Sequence, residues 1–128
     1  MSIRVSLDAL REGLADFGPD AYVLTVGEDG RPHAVMARVD WEDDVLVAGV
    51  GKTTARNAGE RPHVSLLWPR HEPGGYSLIV DGAAEVGDGR LRLAPSKAVL
   101  HRAAAGEVPP AEEGACGSDC VPLLRSSA

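Results

Sequence analysis

The stretch Val45-Leu-Val-Ala-Gly-Val-Gly-Lys-Thr-Thr-Ala-Arg-Asn57 is where the reading of this chain turns. A run of β-formers, Val45 to Val50, ends in a Gly-x-Gly turn at Gly49 and Gly51, and Lys52, Thr53, Thr54, Arg56 and Asn57 follow. The two glycines predict a backbone that takes conformations closed to other residues and lets a ligand come close. Thr53 or Thr54 is placed to N-cap a short helix, whose bare N–H groups and dipole favour an anion. Lys52 and Arg56 add charge, and an Arg grips a phosphate through two parallel bonds. Together these features predict a phosphate seat.

The same letters imitate a nucleotide-binding loop. Its pattern is G-x-x-x-x-G-K-[ST], with phosphates cradled by the glycine-rich backbone. The first glycine of that pattern would stand at Leu46, so the match fails. Such a loop also needs a βαβ setting and a later acidic residue for the metal. Here Gly59 and Pro62 end the helix after about two turns, and hairpin signals lie upstream. Nucleotide hydrolysis is therefore set aside.

Working outward, the chain has 128 residues, one domain's worth. A chain of that length buries roughly two-thirds of its unfolded surface. With 44% hydrophobic and 25% charged residues, the composition is that of an ordinary globular protein. A net charge of −6 argues against a general nucleic-acid binder, which carries a basic stripe. No apolar run approaches a membrane span, and the N-terminus lacks a signal-peptide core. Two cysteines are too few to staple a secreted scaffold. A cytoplasmic protein with no membrane and no nucleic-acid partner is expected.

Leu7, Leu10, Leu14 and Phe17 recur at helical spacing, with Ser6 as N-cap and Gly18-Pro19 as the stop. Residues Ala21–Val26 and Pro32–Trp41 are β-rich and flank the turn Gly27-Glu28-Asp29-Gly30-Arg31. Glu42-Asp43-Asp44 makes a second turn into Val45–Val50, giving a three-stranded antiparallel meander. His63–Trp68 reads as a fourth strand, Tyr76–Val86 as a long fifth with a bend at Asp81-Gly82, and Arg90–Ala94 as a sixth. Pro95–Ala105 reads as a helix. Six strands with short turns predict an all-β fold with accessory helices, a six-stranded antiparallel split β-barrel. The barrel domain is expected over residues 1–108, and an irregular tail over 109–128.

The ordered series Ala21-Tyr-Val-Leu-Thr-Val-Gly-Glu-Asp-Gly-Arg-Pro-His33, then Ala55-Arg56-Asn57, then Pro62-His-Val-Ser-Leu66 resembles the pyridoxamine-5′-phosphate-oxidase-like family, the FMN-binding split barrels. The resemblance covers about half the chain, from Ala21 to Val86. It implies a homodimer with FMN, or alternatively a deazaflavin coenzyme, in a groove at the subunit interface. Carried over by position, Thr53, Thr54, Arg56 and Asn57 fall on the phosphate side. Val35, Met36, Ala48, Gly49 and Val50 fall near the ring or ribityl chain. Where the family pattern has Lys this chain has Thr54, and Lys52 stands two positions earlier. The implied activity is a flavin-dependent oxidoreductase acting on a small molecule, with FMN phosphate on the loop after Val45–Val50. The rival reading is a carrier that binds a flavin, deazaflavin or haem without turnover.

The residues agree with that chemistry in kind. A flavin phosphate brings roughly −1.5 to −2 charges, so an acidic protein needs a local basic cluster. Lys52 with Arg56 supplies one. An isoalloxazine needs an apolar slot, and the redox chemistry belongs to the cofactor. No catalytic acid or base of the protein is assigned. Trp68 is weighed as a core or interface aromatic against a ring-stacking one, and is kept among the candidate cofactor residues. Trp41 reads as a packing residue. His33, His63, His71 and His101 show no metal-ligand spacing. Cys116 and Cys120, with three residues between them, lack the spacing of a redox pair and read as incidental thiols against a redox or zinc role.

Overall fold

Alternating apolar and polar residues, interrupted by short turns, set out seven strands and two helices. The computed structural model describes residues 1–103. In chain order the elements are β1 (Ser2–Val5), α1 (Leu7–Gly13), β2 (Asp20–Val26), β3 (Pro32–Glu42), β4 (Val45–Gly49), α2 (Lys52–Glu60), β5 (His63–Trp68), β6 (Ser77–Gly87) and β7 (Arg90–His101). A 3-10 turn, Leu14–Phe17, joins α1 to β2. All pairings are antiparallel. The order β7-β4-β3-β2-β5-β6 closes on itself through β6–β7, a six-stranded barrel, and β1 lies along the second half of β7.

Register places one face of each strand inside. Ala21, Val23, Leu46, Leu66, Val80, Leu91, Leu93 and Ala98 are all at most 1% exposed and form the barrel's core. Burying such side chains stabilises by about 1.5–3 kcal/mol each for the larger ones. The bend expected at Asp81-Gly82 is a register shift in the β6–β7 pair. Gly82 is required there because a Cβ would run into the Ala94 carbonyl.

The two helices plug the two ends. α1 starts at Ser6, whose Oγ accepts from Ala9 N–H at 3.1 Å, and it buries Leu10, while Leu14 follows in the 3-10 turn. Leu7 is 47% exposed, so the apolar face is narrower than the spacing suggests. Trp68, fully buried, donates Nε1–H to Gly18 O at 3.0 Å at this end of the barrel. α2 covers the other end, packing on β2, β6 and β7.

One expectation is corrected, and one strand was not expected. The segment Pro95–His101 is strand, not helix: Val80↔Ala98 and Leu78↔Leu100 continue the inward alternation, and β1 pairs with it from Ser2↔His101 to Val5↔Ala98. Pro95 sits opposite Gly82, at the register shift, where a missing N–H is tolerated. The chain before Ser6 is the strand β1, whose partner is nearly a hundred residues away. The irregular tail expected over 109–128, with Cys116 and Cys120, lies outside the described residues.

Candidate functional site

β3 has eleven residues and β4 five, and that mismatch opens the barrel. β3 pairs with β2 over Pro32–Arg38, but with β4 only over Val39–Glu42. Val39 N–H donates to Pro19 O at 2.7 Å, on the β2 side. Since main-chain groups alternate along a strand, those of Ala34 and Met36 turn to the edge that β4 does not cover. The inner face is uncovered at the same place. Ala21, Val23 and Thr25 of β2 are 0–1% exposed, whereas their β3 partners Ala37, Val35 and His33 are only half-buried. The uncovered edge and half-exposed inner face leave a cleft along Pro32–Arg38 of β3, and the chain runs from the end of β4 into α2 where that uncovered stretch begins.

The start of α2 forms the head of this cleft. Its N-cap is Gly51, at φ −83° and ψ −177°, with no side-chain cap bond and no acidic residue in the first turn. Thr53 and Thr54, expected as caps, are inside the helix, because its cap is Gly51, two residues before Thr53. The first internal bond runs from Ala55 N–H to Gly51 O at 3.0 Å, so the N–H groups before it have no intrahelical partner. Gly49 and Gly51 take no left-handed conformation. Their contribution is space: nothing lies within 4 Å of a Cβ built on either. The turn is held from behind by Val50 N–H to Gly89 O, 2.9 Å.

The candidate residues separate into two sets. Lys52, Thr53 and Arg56 are exposed around the bare N-terminus, with Gly49 and Gly51 beside them. Val35 is half-buried on the inner wall, Met36 is 49% exposed on the outer face, and Val50 is half-buried at the turn. Thr54, Asn57 and Ala48 face inward at 2%, 3% and 3% exposure. Asn57 Nδ2 donates to Thr25 Oγ1 at 3.1 Å, so its side chain plugs the barrel. Trp68 lies at the α1 end, sealed in the core at the end of β5 away from α2.

His33 belongs to the cleft and carried no role in the sequence reading. It pairs with Thr25 in register, and its Nδ1 is buried without a hydrogen-bond partner among the described residues. The signal that points to this wall is the unequal length of the second and third predicted strands.

Solved structures with this topology are split barrels. The FAD-binding protein from Mycobacterium smegmatis superposes with a TM-score of 0.59 at 16% identity, over 80% of this chain and all of that one. A Listeria innocua protein, provisionally described as a pyridoxamine 5′-phosphate oxidase, gives a TM-score of 0.60 at 16% identity, over 74% of this chain and 98% of that one. An F420 reductase gives 0.52 at 16% identity, over 62% and 87%. The protein thus has the flavin-binding split-barrel fold, as the six-stranded reading expected.

In sequence it is 38% identical over 135 aligned positions to Mb0449c of Mycobacterium bovis, covering 92% of this chain and 94% of that protein. MT0457 of Mycobacterium tuberculosis matches at the same identity and coverage. The chain belongs to the family of these two mycobacterial proteins, both described as uncharacterized. No family model matches the sequence.

Proposed function

We propose that this protein is a flavin-dependent oxidoreductase that holds FMN, or a deazaflavin coenzyme in its place, in the cleft between β3 and the start of α2. One observation carries this reading: the uncapped helix N-terminus at Gly51, flanked by Lys52 and Arg56, follows directly on the end of β4, where β4 leaves the edge of β3 uncovered. Bare N–H groups and the helix dipole favour a phosphate, and the two cations complement its charge. A Cβ at Gly49 or Gly51 would fill the space above that seat. The polar groups of Ala34 and Met36 suit the hydrogen-bonding rim of a flat ring, and Val35 and Val50 suit its apolar face. The fold shared with an F420 reductase and an FAD-binding protein is consistent with this assignment.

When bound, the flavin supplies hydride transfer to or from a small substrate. The chain's own residues bind and orient. Lys52, Thr53 and Arg56 anchor the phosphate, and β3 fixes the ring. Thr54, Asn57 and Trp68 act on the barrel instead and are left out of the seat.

The proposed assembly is a cytoplasmic homodimer. Met36, Tyr22, Leu67, Ile79 and Val99 stand side by side across five strands on the outer face. Met36 is 49% and Tyr22 37% exposed. A continuous apolar row of this kind marks an interaction surface, and an isologous contact matches it to itself. The row includes Met36, so a second copy on this face also roofs the cleft. No helix among the described residues is long and apolar enough to cross a membrane.

The test is an absorption spectrum of the purified protein, followed by parallel titrations with FMN, deazaflavin coenzyme and haem. Saturable binding of a flavin, with consumption of a reductant in the presence of an acceptor, is expected. Binding without consumption would replace the enzyme by a carrier, and binding of none of the three would end the proposal.

A further inference from the structure

The opposite edge of β3 carries a second cavity, unconnected with the phosphate seat. β2 begins at Asp20, opposite Arg38, so the rest of β3 has no strand partner on that side. Helix α1, the 3-10 turn and Gly18-Pro19 stand there instead. Between them and β3 lies a cavity of about 320 Å³ lined chiefly by Arg11, Leu14, Pro19, Arg38, Val39 and Trp41. That volume is at the lower end for small-ligand sites. Val39 N–H points to this side, toward Pro19 O, and by alternation so do the main-chain groups of Trp41.

The charges in this cavity are loosely matched. Arg11 Nη1 is 3.7 Å from Asp44 Oδ1, whose carboxylate is fully exposed, and Arg38 Nε is 3.9 Å from Asp40 Oδ2. Neither distance is a hydrogen bond, and exposed pairs of this kind contribute little. Arg90 and Arg92 show the alternative, gripping the two oxygens of Glu42 at 2.8 and 2.6 Å. The Arg11 guanidinium lies over the Trp41 ring, 4.7 Å from its centroid, which holds that cation at the cavity without consuming its N–H donors. Asp40 is the one acidic group in the lining, so two cations face it with a positive excess.

Arg11 and Arg38 line the cavity together with Leu14, Val39 and Trp41, a mixture of cations and apolar groups that matches an anion carrying a planar apolar body. We propose that this cavity is a second ligand site, taking a small aromatic carboxylate. Arg11 and Arg38 hold the carboxylate by charge-assisted bonds, and the ring lies against Trp41 and Leu14. A bare phosphate satisfies the cations but leaves the apolar groups unused. A neutral aromatic covers the apolar groups but leaves the guanidiniums without a partner.

The protein carries only two tryptophans, Trp41 and Trp68. Their indole N–H signals in a ¹H–¹⁵N spectrum of the full chain therefore report on the cavity and on the wall behind it. Titration with benzoate is expected to shift the Trp41 signal saturably in the millimolar range, and to move Trp68, sealed behind Gly18, much less. Benzamide and acetate, which each lack one half of the ligand, should bind markedly more weakly. Arg38→Gln and Arg11→Gln should each weaken benzoate about tenfold, the loss of one charge-assisted bond. Arg38 stands on the outer face of a strand, so its variant keeps the test valid if Arg11→Gln disturbs α1. Equal shifts with benzoate and benzamide, no saturation, or benzoate affinity unchanged in Arg38→Gln would overturn the proposal. Displacement of benzoate by FMN would also overturn it, by merging the two sites.

Discussion

α1 and α2 each lay one face over an end of the same barrel, and they do it with opposite chemistry. α1 inserts Leu10, with Leu14 just beyond it, and has its N-terminus satisfied by Ser6 Oγ. α2 inserts Thr54, Asn57 and Ala58, needs the Asn57–Thr25 bond to settle the polar pair, and leaves its N-terminus uncapped at Gly51. A capped apolar plug is the more stable solution, and the chain uses it once. The other end gives up stability where bare N–H groups and two cations face a cleft. The difference is the one expected if α2 serves the proposed flavin site while the apolar face of α1 closes the core.

The largest effect that tests this contrast lies at the α1 end. Trp68→Ala is expected to destabilise the protein by about 3–5 kcal/mol, the usual range for removing a buried aromatic, measured by denaturant unfolding. Phosphate-dependent flavin affinity of the folded protein should be unaffected. A selective loss of flavin affinity with normal stability would return Trp68 to the site. At the other end, Asn57→Ala leaves Thr25 Oγ1 buried without its donor. A loss of about 1–3 kcal/mol is expected, seen in the same unfolding experiment.

The caps give a smaller and opposed pair. Ser6→Ala should cost about 1 kcal/mol through the lost N-cap bond. Gly51→Ser, in an extended backbone with open space above it, should raise the melting temperature slightly while weakening phosphate binding, because the new hydroxyl occupies the bare N–H groups. If Gly51→Ser lowers stability, or leaves phosphate binding unchanged, the contrast between the two helices fails.

Much of this was legible in the sequence. The turns at Gly27–Arg31 and Glu42–Asp44 carry their own residue chemistry, and strand His63–Trp68 reads off with its observed bounds. Lys52 and Arg56 stood out because charge and glycine concentrate there. The illegible parts depend on partners far along the chain. Pro95–His101 has a helix-compatible composition, and only its pairing with β1 and β6 makes it a strand. The inward turn of Thr54, Asn57 and Ala58 was available in their i, i+3, i+4 spacing, which a search for phosphate ligands passes over. The uncovered edge of β3 is a property of two strand lengths together, so no single residue announces it.

The smallest predicted effect concerns the exposed cluster of Glu42, Arg90 and Arg92. Hydrogen bonds from Arg90 and then Arg92 hold the Glu42 carboxyl below its ordinary value of 4.5. A lowered folded pKa means the contribution is present above the ordinary value and lost as pH falls through the lowered one. Glu42→Gln should therefore be slightly less stable than the parent at neutral pH, with the gap closing in acid, as followed by thermal melts across pH. The effect is small because all three groups are solvent-exposed.

The central claim is that the start of α2 is a phosphate seat. The most direct measurement compares FMN with riboflavin, which lacks the phosphate, in the parent and in the double variant Lys52→Ala with Arg56→Ala. Both side chains are exposed, so stability should change by no more than about 0.5 kcal/mol. FMN affinity should fall roughly ten- to a hundredfold, as expected for losing charge-assisted bonds, while riboflavin affinity stays the same. Equal loss for both ligands, or no loss for FMN, would contradict the account and detach the phosphate from α2.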